Sequence, residues 1–104
     1  MKPNIFFLTI DSLRADKIFG KTKTSLTPNI DNLIKRGTYC TQAISSADGT
    51  GITLGSLFTG CYPFTTGLTH FKFNPNAVTY FQKFKNNGYY TCATIPDISF
   101  LLKF

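Results

Sequence analysis

The chain has 104 residues, 42% hydrophobic and 15% charged, a balance that suits one small packed domain over residues 1–104 and excludes a disordered chain. Eleven basic residues against five acidic ones give a net charge of +6. The charge favours anionic ligands, but the lysines are scattered without a run, so a solvated basic surface is expected and no specific nucleic-acid partner.

Residues 4–10, NIFFLTI, form an apolar run bounded by Pro3 and Asp11, which predicts a strand buried on both faces of a parallel sheet. One short helical turn is expected within DSLRADKIFG, followed by a polar loop, KTKTS. TPNIDNLIKRG carries a helix signature: Thr27 at the N-cap, Pro28 at the first helical position, Asp31 in the first turn and Gly37 as the stop. Ile30, Leu33 and Ile34 make its apolar face.

Residues 38–44, TYCTQAI, alternate as a second strand, and SSADGTG is turn chemistry. ITLGSLFTG predicts a helix ending at Gly60. AVTYFQKFKNNG predicts another, with Val78, Phe81 and Phe84 on one face and Gly88 as its stop. YYTCATI, residues 89–95, is the third expected strand, and Pro96 ends it. Strand, helix, strand, helix, helix, strand predicts an α/β fold: a partial parallel sheet flanked by helices.

Cys40, Cys61 and Cys92 are odd in number and lack CxxC spacing, so reduced, buried or half-buried thiols are expected rather than a disulfide framework or zinc site. The N-terminus is too short and wrongly flanked for a signal peptide, and no run approaches the ~20 apolar residues of a membrane span. A cytoplasmic protein without a membrane segment is the expectation.

Parallel strands bring their C-terminal ends to one edge, where open α/β folds bind ligands. Asp11 follows the first strand, Asp48-Gly49-Thr50 the second and Asp97 the third. Each has a plain structural role open to it. Asp11 can end a strand, Asp48-Gly49 is a turn dipeptide, and Thr50 can cap the helix that follows.

Taken together, KPNIFFLTIDSLRADKIFG, TPNIDNLIKRGTYCTQAISS, GSLFTGCYPFTTGL and FKNNGYYTCAT resemble the N-terminal part of the sulfatase family, in the alkaline-phosphatase-like superfamily of metal-dependent hydrolases. The segments occur in family order over essentially the whole chain. The resemblance implies a hydrolase of sulfate or phosphate esters, a small anionic ester as substrate and a divalent cation (Ca²⁺, Mg²⁺ or Mn²⁺). It makes Asp11 a metal ligand; many relatives carry a second Asp where this chain has Ser12.

The family nucleophile, a Cys or Ser in a C/S-x-P-S/A-R pattern, precedes the TG by some ten residues. Here that place holds Thr50, and the Pro and Arg of the pattern are absent, so formylglycine is not expected. Relatives that act on phosphate esters use a metal-activated Thr or Ser there. The resemblance thus implies Thr50 as catalytic nucleophile and metal ligand, with Thr53 as the fallback hydroxyl.

YPFTTG lacks the family's histidines, while Pro96 and Ile98 stand where the family has Lys and His. The lone His70 lies off any motif and is read as a satisfied surface or half-buried imidazole. Family domains are several times longer, with the other ligands far downstream. The chain therefore reads as an N-terminal piece, inactive alone, with a partner chain able to supply the rest; SFLLKF, residues 99–104, reads as apolar residues expecting cover. The alternative is a non-catalytic α/β interaction module or a degenerate relic of the family.

Overall fold

The computed structural model describes residues 2–70, 72, 74 and 76–96. They hold five helices: α1 (Ala15–Ile18), α2 (Pro28–Arg36), α3 (Thr50–Thr59), α4 (Pro63–Thr66) and α5 (Tyr80–Asn86). The chain divides into two compact units, Met1–Ala43 and Ile44–Phe104.

The expected parallel sheet is not formed: among the described residues there is no strand. All three apolar segments lie outside regular structure and are largely exposed. Phe6 is 86% exposed and Tyr90 95%, and Ile5, Phe7, Leu8, Ile10 and Ile44 also face solvent. A strand exists only through backbone hydrogen bonds to a neighbour, and a doubly buried strand also needs helices over both faces. An apolar run records a side-chain preference for burial; it supplies neither the pairing partner nor the cover. Asp97 and residues 99–104 lie outside the described residues.

In the first unit, α1 is a single turn, closed where the Phe19 N–H donates to the Ala15 carbonyl at 3.0 Å. Arg14 grips Asp16 through Nε and Nη2, both at 2.9 Å, and this hydrogen-bonded fork holds the Asp16 carboxyl below its ordinary pKa. The Phe19 and Tyr39 rings meet at 4.3 Å between centroids, tilted by 37°. The second helix begins and ends where its signals predict, between Thr27 and Gly37. Thr27 does not cap with its side chain, however. Its hydroxyl donates instead to Asp31 Oδ1 at 3.1 Å, and the Lys23 ammonium binds the same carboxylate oxygen. Lys23 thereby ties the polar loop before α2 to the helix's first turn, where a negative charge is also favoured by the helix dipole.

The second unit is built on α3, which packs against α4 and α5. Its buried face is Ile52, Gly55, Ser56 and Thr59, and Leu68 and Thr79 are buried with it. Small residues on that face let neighbours approach closely, and Phe58 meets Phe81 edge-on at 4.9 Å. The helix ends at Gly60 in the left-handed region (φ 68), its N–H bonded to the Ser56 carbonyl at 2.8 Å. The positive φ favours glycine there, and the Tyr80 hydroxyl lies where a Cβ would sit.

The α5 helix begins two residues later than Val78, which stays outside it and exposed. Its start is set by a reciprocal capping box. Thr79 Oγ1 accepts from the Gln82 N–H at 3.4 Å, and Gln82 Oε1 accepts from the Thr79 N–H at 2.7 Å. Asn87 and Gly88 close the other end, with Tyr89 N–H reaching the Phe84 carbonyl at 3.0 Å.

Thr79 is only 2% exposed, so Thr79→Ala should lower stability by about 1 kcal/mol, read as a reduced urea midpoint; an unchanged midpoint would show the box to be idle. The Lys23 hydrogen bond, aided by Thr27, holds the Asp31 carboxyl below its ordinary pKa. A depressed carboxylate stabilises the fold above its unfolded pKa, and that contribution is lost as pH falls through the lowered folded value. In Lys23→Met the Asp31 midpoint, followed by carboxyl NMR, should move up toward the ordinary carboxylate value.

Candidate functional site

Asp11, in the first unit, closes the exposed apolar segment at a tight turn. Ser12 beside it takes the left-handed conformation (φ 59), unfavourable for a residue with a Cβ by about 1 kcal/mol. The Ser12 hydroxyl lies 3.5 Å from Asp11 Oδ2. Asp11 is exposed.

Thr50, in the second unit, is the first helical residue of α3. The alternative role of helix cap belongs to Gly49, which occupies the cap position in extended conformation (φ −123, ψ 144). Thr50 is exposed, at the end of a helix whose leading N–H groups and dipole favour an anion. The loop leading into it is held by hydroxyls. Ser45 Oγ donates to the Ala47 carbonyl at 2.6 Å, and Thr53 Oγ1 lies 3.0 Å from Ser45 Oγ and 3.2 Å from the same carbonyl. Thr53 is therefore spent in fixing the loop.

His70, expected as a surface or half-buried imidazole, is exposed. It follows α4 by four residues and lies on the α3 N-terminus. A Cβ on Gly49 would overlap its Cε1, and would stand 2.9 Å from Nδ1 and 3.4 Å from Nε2. Asp48 Oδ1 is 3.4 Å from His70 Nε2, the two side chains being 90% and 54% exposed. No spacing rule links residues 48–50 to residue 70, because the approach is tertiary. The one local signal was a glycine before Thr50.

Further along α3, the Thr59 hydroxyl donates to the Gly55 carbonyl at 2.8 Å, while the Ser56 hydroxyl is buried without a hydrogen-bond partner. The three cysteines are exposed thiols, not the buried or half-buried ones expected. No helix among the described residues is long and apolar enough to cross a membrane.

A carboxylate and a hydroxyl are hard oxygen donors, right in kind for Ca²⁺, Mg²⁺ or Mn²⁺. They are too few, since such cations take six or more oxygens. Among the described residues no group of three or more His, Cys, Asp or Glu side chains is gathered that could hold a metal ion. The donors present do not amount to a metal site.

A family model, Sulfatase, matches residues 3–97. The chain therefore belongs to the sulfatase family, and at the level of that family it is a sulfatase-like hydrolase. Searches of curated proteins and of solved structures find no match.

Proposed function

We propose that the chain is part of an enzyme that hydrolyses small sulfate or phosphate esters, with the Thr50 hydroxyl as nucleophile. The observation that carries the reading is the position of Thr50: exposed, first in α3, at the helix end where an anionic ester is electrostatically favoured. Attack forms a bond from Thr50 Oγ1 to sulfur or phosphorus, the bond to the leaving alcohol breaks, and water later releases the inorganic anion. The surplus of basic residues draws the ester in.

In the same reading Asp11 and Thr50 each contribute an oxygen to a divalent cation, and polypeptide outside the described residues contributes the rest. The exposed apolar side chains at residues 5–10 support this, since apolar surface on that scale marks a face made for contact. By itself the chain is inactive. Three exposed thiols suit a reducing compartment such as the cytoplasm. A binding module without turnover is the second reading, favoured by Pro96 where relatives carry a lysine.

Against aryl sulfate and aryl phosphate esters with Ca²⁺, Mg²⁺ or Mn²⁺, the 104 residues alone should give no turnover. Joined to polypeptide carrying the remaining ligands, they should turn over, and Thr50→Ala should abolish that by several orders of magnitude, as loss of a nucleophile does. Turnover and metal affinity unchanged in Thr50→Ala would overturn the reading.

A further inference from the structure

Asn87 is the one asparagine of the chain that a glycine follows. The pairing matters chemically, because the backbone nitrogen after an asparagine can close a cyclic imide on the side-chain carbonyl carbon, and glycine brings no Cβ to hinder that approach. Closure forms a bond from Gly88 N to Asn87 Cγ and breaks the bond from Cγ to Nδ2. The proton of the Gly88 N–H leaves with Nδ2 as ammonia. Water then opens the imide at either of its carbonyls, giving an aspartyl or an isoaspartyl residue.

Both reacting groups are engaged in closing α5. Asn87 is the C-cap residue, and its Nδ2 donates to the Lys83 carbonyl at 2.8 Å. The Gly88 N–H donates to the Lys85 carbonyl at 2.9 Å, with Gly88 in the left-handed region (φ 75). The Tyr89 N–H, bonded to the Phe84 carbonyl at 3.0 Å, fastens the chain just beyond. For the imide to form, the Gly88 nitrogen must leave Lys85 and the Asn87 amide must leave Lys83, so the turn has to open first. Helix ends open at small free-energy cost, and α5 is a helix of seven residues whose Asn87 is exposed.

We propose that Asn87–Gly88 is a self-modification site, where hydrolytic deamidation, admitted by opening of the last turn of α5, replaces the amide that caps this helix with a carboxylate. The change does not reverse when the turn recloses. The product lacks the Nδ2–H that bonded the Lys83 carbonyl, and it sets a negative charge at a helix end whose dipole disfavours one. In the isoaspartyl product the main chain is also longer by one carbon, which puts the Gly88 and Tyr89 N–H groups out of step with their carbonyls. Because α5 packs on α3, loss of the cap loosens the second unit.

The intact 104-residue chain is held in neutral buffer, with and without guanidinium chloride, and deamidation of each asparagine is followed by peptide mass mapping. In guanidinium Asn87 should deamidate before the other asparagines. In buffer the same reaction should run about tenfold more slowly, the protection that a closed helix end gives. Thr79→Ala, which removes the capping box at the other end of α5, should speed it in buffer and leave the guanidinium rate unchanged. Asn87→Asp, which carries the product's charge, should lower the guanidinium midpoint of unfolding. Equal rates with and without denaturant would overturn the control by α5, and an unchanged midpoint in Asn87→Asp would overturn the effect on the helix. In guanidinium, an Asn87 no faster than the other asparagines would overturn the site itself.

Discussion

The packing of α3 against α4 and α5 is the constraint on which the second unit depends. Ile52, Gly55, Ser56 and Thr59 turn inward, Phe58 meets Phe81, and Tyr80 closes over Gly60. A ten-residue helix is marginal by itself in water, so its order comes from this contact. One end is thereby pinned at Gly60, while the other begins at the exposed Thr50. The buried Ser56 hydroxyl without a partner is a cost accepted within that face, since buried polar groups are normally bonded. A nucleophile on an exposed helix end needs such an anchor at the opposite end.

Local signals were legible in the sequence and long-range ones were not. Pro28 and Gly37 marked the ends of α2, and Gly60 the end of α3, because a proline's fixed φ and a glycine's freedom act within a few residues. The Thr79/Gln82 box is equally local and starts the helix after Val78, whose apolar side chain suggests a helix face but stays exposed outside it. The sheet was misread for the opposite reason. NIFFLTI, TYCTQAI and YYTCATI have the composition of buried strands, yet pairing and cover are properties of what surrounds a segment. Phe6 and Tyr90 at the surface record that neither is supplied here.

The candidate site divides in the same way. Asp11 and Thr50 could be named from motifs in family order. The approach of the His70 ring to Gly49 had no local signal beyond the glycine itself, since twenty-one residues separate the two and only folding brings them together. YPFTTG lacks the histidines that the family resemblance would place there. His70 stands a few residues beyond that motif, with its ring against Gly49. What the described residues lack is a set of carboxylates, and the one carboxylate beside Thr50, Asp48, faces His70.

The measurement that most directly tests this account is to trap the reaction on the protein. A turnover-competent form is mixed with an aryl phosphate or aryl sulfate, quenched in acid and mapped by peptide mass spectrometry. The account predicts a phosphoryl or sulfuryl group on Thr50. An adduct on another side chain, or a product burst with Thr50 unmodified, would contradict it.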